Sequence, residues 1–151
     1  MIHIQPHPEI AGTAVLERAA RQALKLADAW NPVEADLTIV LTDDEKLRQL
    51  NRDYLGLDAA TDVLSFPAAE QDPETGKSYL GDILISVPRA KIQADRAGHT
   101  LDEELQLLVV HGVLHLLGYD HANPRQKSGM WKAQGSVLAD LGLSGIKILD
   151  E

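Results

Sequence analysis

Three histidines, His111, His115 and His121, fall within eleven residues of a chain that holds six histidines in all. His111 and His115 are four apart. On a helix of 3.6 residues per turn both imidazoles point the same way and can share one ion. Gly118 follows and permits a left-handed turn, so the chain can double back and bring His121 to the same point. Cysteine is absent, so any metal must be held by nitrogen or oxygen. Three imidazoles suit zinc, and also nickel or copper. A fourth position left open to water would lower that water's pKa toward ~7. A structural zinc is normally closed by four protein ligands. Asp120 is the nearest candidate for a fourth ligand, or for a group that orients one of the three.

Elements must bring these residues together. Ile2 to Ile4 reads as an edge strand. Leu16, Ala20, Ala23, Leu24, Ala27 and Trp30 have helical spacing, and Asn31-Pro32 should end that helix. Leu37, Ile39 and Leu41 alternate as in a strand. Thr42 and Glu45 form a T-x-x-E pattern that predicts a capping box and a second helix. Asp62–Phe66 and Leu80–Val87 read as strands joined by a polar stretch, Ala68 to Ser78. Ser86 is a candidate N-cap for a short helix with Pro88 in its first turn. Thr100 and Glu103 predict a capping box for the helix that carries His111 and His115, ending at Gly118. Asn123-Pro124 should start a last helix that runs to Leu141. The pattern is α+β, with a small sheet and about five helices in a single domain, residues 1–151.

Composition narrows the function. Hydrophobic residues make up 44% and charged residues 25%, ordinary for a soluble domain. No apolar run reaches the ~18 residues needed to cross a membrane. The opening MIHIQPHPE lacks the pattern of a secretory leader, and no disulfide can form. These features fit a reducing compartment such as the cytoplasm. A net charge of −9 weighs against nucleic-acid binding through a broad basic field. The spacing H-x3-H-x2-G-x2-H is that of the metzincin proteases, whose general base is the glutamate after the first histidine. Gly112 stands at that position, which disfavours a metallopeptidase.

The string His111-Gly-Val-Leu-His-Leu-Leu-Gly-Tyr-Asp-His121 resembles the metal motif of the YbeY family, bacterial endoribonucleases and rRNA maturation factors. Thr61-Asp-Val-Leu-Ser-Phe-Pro67 is similar to that family's T-D-V-L-S-F-P signature. Leu80-Gly-Asp-Ile-Leu-Ile-Ser86 is similar to its G-D-I-x-I-S strand. The resemblance covers residues 36 to 142. It implies a metal-dependent hydrolase with a four-stranded sheet, one Zn2+ on His111, His115 and His121 at the end of a central helix, and cleavage of single-stranded RNA. The implied partners are rRNA and the ribosome or its small subunit. The family carries an arginine after its Asn-x-x-Tyr segment; here Leu55 stands there, with Arg52 one helical turn earlier. That departure keeps open a ribosome assembly factor with zinc retained and hydrolysis weakened.

Other residues have two readings each. Asp62 and Asp82 can orient a histidine or hold substrate, or simply cap a turn or strand. Ser65 shares that ambiguity. Phe66 is a core residue that can also stack on a base at a groove. Arg89, Lys91 and Arg96 form a solvated basic face, or phosphate contacts if they face the metal. Trp131 is expected as core packing behind the metal loop. His3, His7 and His99 are expected at the surface.

Overall fold

The computed structural model describes residues 2–28, 35–71, 73–74 and 78–146. In chain order the elements are β1 (Ile2–Gln5), α1 (Ala14–Asp28), β2 (Ala35–Thr42), α2 (Asp44–Leu55), β3 (Val63–Gln71), β4 (Ser78–Ser86), α3 (Val87–Ala97), α4 (Leu101–Leu116) and α5 (Pro124–Asp140). The four strands form one sheet in the order β1-β2-β4-β3. β1 and β4 both run parallel to β2, and β3 runs antiparallel to β4. The sheet is mixed, and the fold is the single α+β domain expected. Among the described residues no helix is long and apolar enough to cross a membrane.

Strand alternation sorts the side chains to two faces. Leu37, Ile39, Leu41, Ile83 and Ile85 join the main core with α1 and α4. Leu64 and Leu84 point the other way and pack with Leu47 of α2, with Val40, Leu50 and Phe66 beside them. α4 is buried on nearly every side, including Leu105, Val109 and Leu114. Each fully buried aliphatic side chain stabilises by roughly 1.5–3 kcal/mol. A helix buried on so many sides lies at the centre of the molecule.

Gly112 sets how closely α4 lies on the sheet. A Cβ there would stand 2.7 Å from Cγ2 of Ile83 on β4. Ser65 of β3 donates to the Gly112 carbonyl at 3.3 Å. Glycine at this position is a packing requirement, and it leaves no room for the glutamate of a protease.

Most caps lie where the sequence places them. Ser86 accepts from Arg89 N, Thr100 and Glu103 form a complete capping box, and Asn123 accepts from Gln126 N. The Thr42–Glu45 box does not form. The N-cap of α2 is Asp43, with no side-chain cap bond, because Thr42 is still a residue of β2 opposite Ser86. The stretch after Pro67 is also not all loop: β3 continues to Gln71, with a register shift between Pro67 and Glu70. The bulge takes up the extra residue while pairing resumes. Trp30, Asn31-Pro32 and Gly76 lie outside the described residues.

Candidate metal centre

α4 delivers His111 and His115 one turn apart, and its C-terminal turn delivers the third histidine. Gly118 adopts φ 100°, and the chain reverses so that His121 comes back over the helix end. One ring nitrogen from each of the three histidines lies within 4.8 Å of the others. The Nε2 atoms of His111 and His115 are 3.2 Å apart. Three converging nitrogens at this spacing fit a single transition-metal ion.

The rings are held by groups behind them. Nδ1 of His111 lies 2.9 Å from Oε1 of Gln134 on α5. The amide oxygen accepts the Nδ1 proton, which leaves the Nε2 lone pair facing the other histidines. His115 is hydrogen-bonded to the backbone of Tyr119. Trp131 stands edge-on to His111 and His121, with ring centroids 5.8 and 6.0 Å away. Burial holds the His111 pKa below the ordinary histidine value, with His121 adding to the effect and the Gln134 bond opposing it. Burial, then His111 and His121, bring His115 down to about 4. Imidazoles that stay neutral at pH 7 keep their lone pairs free for a metal.

The histidines sit in a cleft of about 970 Å³ that extends between α4, α5 and β3 toward α2 and α3. Asp62, Ser65 and Asp120 line it. Asp62 caps the start of β3 by accepting from Val63 N at 2.8 Å. Asp120 accepts from His121 N at 2.7 Å, which shapes the turn; the histidine group that can hold a metal does not include it. Phe66 and Asp82 are cross-strand partners and lie outside the cleft. Phe66 packs in the α2 cluster, 5.7 Å from Tyr54, and Asp82 accepts from the Tyr79 hydroxyl. Ser65 and Phe66 are adjacent on a strand, so only one of them can face the histidines. Arg52 is exposed, pairs with Asp53 and does not line the cleft, whereas Leu55 does. Arg89 pairs with Asp44 and Lys91 with Glu9, so neither serves the cleft.

Two features escape the sequence: Gln134 and a buried pair. Gln134 is 1% exposed at a position that helical spacing from Met130 and Leu138 makes apolar. A polar residue on an apolar stripe was the available signal. Trp131 packs against the core as expected and stands beside the histidines, while its neighbour Met130 is fully buried. His99 is not at the surface: its Nε2 lies 2.6 Å from Oε2 of Glu104, and both side chains are 6% exposed.

A family model described as Endoribonuclease YbeY matches residues 4–142. The Endoribonuclease YbeY of Roseiflexus castenholzii is 44% identical over 154 aligned positions, covering 95% of this chain and 94% of its own. That of Brevibacillus brevis is 40% identical over 143, covering 85% and 89%. The solution structure of TM1509 from Thermotoga maritima is similar with a TM-score of 0.61 at 25% identity, covering 96% of this chain and 94% of that one. The chain belongs to the endoribonuclease YbeY family.

Proposed function

We propose that this chain, read as one metal-dependent hydrolase domain over residues 1–151, is a zinc-dependent endoribonuclease. Its substrate is single-stranded RNA, and its setting is the cytoplasmic maturation of rRNA and ribosome quality control, with the ribosome or its small subunit as partner. The observation that carries this reading is the convergence of His111, His115 and His121 within 4.8 Å in an open cleft, in a chain whose relatives bear an endoribonuclease name.

When bound, zinc supplies Lewis acidity toward a phosphoryl oxygen and toward water. The chain supplies the rest. His111 and His115 are oriented from behind by Gln134 and the Tyr119 backbone. Lys127, half-buried and 5.6 Å from the Trp131 ring centroid, is the one lysine or arginine among the described lining residues. It offers charge to a phosphate. Asp62, Glu104 and Asp120 line the same cleft, so a long stretch of phosphates gains little from the walls. This favours short contacts with an unpaired strand over the broad basic track of a duplex binder.

A second reading, an assembly factor with zinc retained and hydrolysis weakened, is favoured by Leu55. That side chain is 57% exposed and lines the cleft where the family's arginine is expected, so the lost charge falls on the site itself. Cleavage of single-stranded RNA by the wild type and by His115→Ala decides between them. Cleavage that disappears in the variant supports the enzyme. Equal cleavage by both would rule out the metal-dependent reading, and no cleavage by either, with ribosome binding kept, would leave the assembly factor.

A further inference from the structure

The cleft has a second end, and its chemistry differs from the metal end. Glu104 lines it at 5% exposure, on the same face of α4 as His111 and His115. Residues 104, 108, 111 and 115 follow one another at spacings of four, three and four, the helical stripe. His99, just before the Thr100 cap, places its Nε2 2.6 Å from the Glu104 carboxylate. The other nitrogen of His99 is buried and has no hydrogen-bond partner. Burying a carboxylate against an imidazole is a poor way to gain stability, since desolvation offsets most of the attraction. This one also leaves a polar atom unsatisfied, at a further cost.

Distance decides what Glu104 can do. Seven residues of helix separate it from His111, about 10 Å along the axis. A general acid or base must lie within about 3 Å of the proton it transfers. Glu104 is too far away to serve the scissile bond, and the next nucleoside of the strand is the group in reach. A carboxylate accepts hydrogen bonds and repels phosphate. Leu107 and Leu108, one turn further along α4, line the cleft beside it, a surface suited to a flat, uncharged ring.

We infer that the Glu104 end of the cleft is a nucleobase subsite, in which the carboxylate held by His99 accepts from the exocyclic amino group of a base flanking the cut. The inference rests on the endoribonuclease reading and adds to it a preference for amino-bearing bases. Cytosine, adenine and guanine present such a donor. Uracil presents carbonyl oxygens on either side of its one N–H, and these face the carboxylate unfavourably.

The test separates binding from cleavage. Single-stranded octamers of cytidylate, adenylate and uridylate are titrated against the full chain in the presence of a chelator, by fluorescence anisotropy. Wild type should bind the cytidylate and adenylate octamers at least about fivefold tighter than uridylate, the size of a modest base contact. Glu104→Gln, whose amide both donates and accepts, should bring the three within about twofold. Equal binding of all three by wild type, no binding of any, or a preference that survives in Glu104→Gln would overturn the subsite. If Glu104→Gln does not fold, methyl NMR of wild type decides. Cytidine 5′-monophosphate must then shift the Leu107 and Leu108 methyls more than the uridine nucleotide does, and equal shifts would overturn the inference. Cleavage of the same octamers with zinc restored is scored separately, so its loss would count against the nuclease reading and not against the subsite.

Discussion

Nδ1 of His111 and Oε1 of Gln134 lie 2.9 Å apart, and this contact fixes which nitrogen of His111 faces the cleft. Gln134→Leu removes the acceptor and frees the ring to turn. Metal affinity should fall by about 10- to 100-fold, the usual cost of losing such a partner. Gln134→Glu, which still accepts from Nδ1, should keep the affinity. Competition with a chromophoric chelator measures both.

Gly112 and Ile83 make a second test. Gly112→Ala places a methyl 2.7 Å from Ile83 Cγ2, and overpacking of this kind costs about 1–3 kcal/mol. The gain in helix propensity, about 1 kcal/mol, offsets part of that cost. In urea unfolding the double variant Gly112→Ala, Ile83→Ala should be less destabilised than the sum of the two singles, because the new methyl enters the space vacated. Strict additivity would show that the two residues do not meet.

The histidine environment predicts a pH dependence of the metal-free protein. His115 is held at about 4 when folded, chiefly by burial, against about 6.5 when unfolded. Between these values the unfolded chain binds the extra proton, so stability rises with pH across the window. The contribution is fully present above about 6.5 and is lost as pH falls through about 4. His111 is displaced the same way. Midpoints of urea unfolding from pH 7 to 4 should decline more steeply for wild type than for His115→Gln.

Leu55 lies in the cleft where the family's arginine is expected. Leu55→Arg adds a charged donor on the wall of the site. RNA cleavage per zinc-loaded chain should rise by about tenfold, a modest value for a group that stabilises developing charge. Unchanged turnover would show that the side chain at 55 does not reach the phosphate.

Much of this was legible in the sequence for a local reason. His111, His115, Gly118 and His121 are close in the chain, so helical spacing and one left-handed turn suffice to assemble them. The Thr100, Ser86 and Asn123 caps are equally local. Other features depend on contacts that spacing does not encode. Thr42 looks like an N-cap until its pairing with β4 is known. Phe66 and Asp82 belong to signature strings, yet alternation turns them away from the histidines while their neighbours face inward. Gln134 and the His99–Glu104 pair become functional candidates only when α4 and α5 are packed. Gln134 had left a trace, as a polar residue where helical spacing calls for an apolar one.

His111, His115 and His121 together should hold one metal ion. Metal analysis of the chain, purified without added zinc, tests it most directly beside the His111→Ala, His115→Ala and His121→Ala variants. About one zinc per wild-type chain is expected, with little or none in His111→Ala, His115→Ala and His121→Ala, all variants folded by circular dichroism. Wild-type protein without bound metal, or variants that bind as much as wild type, would contradict it.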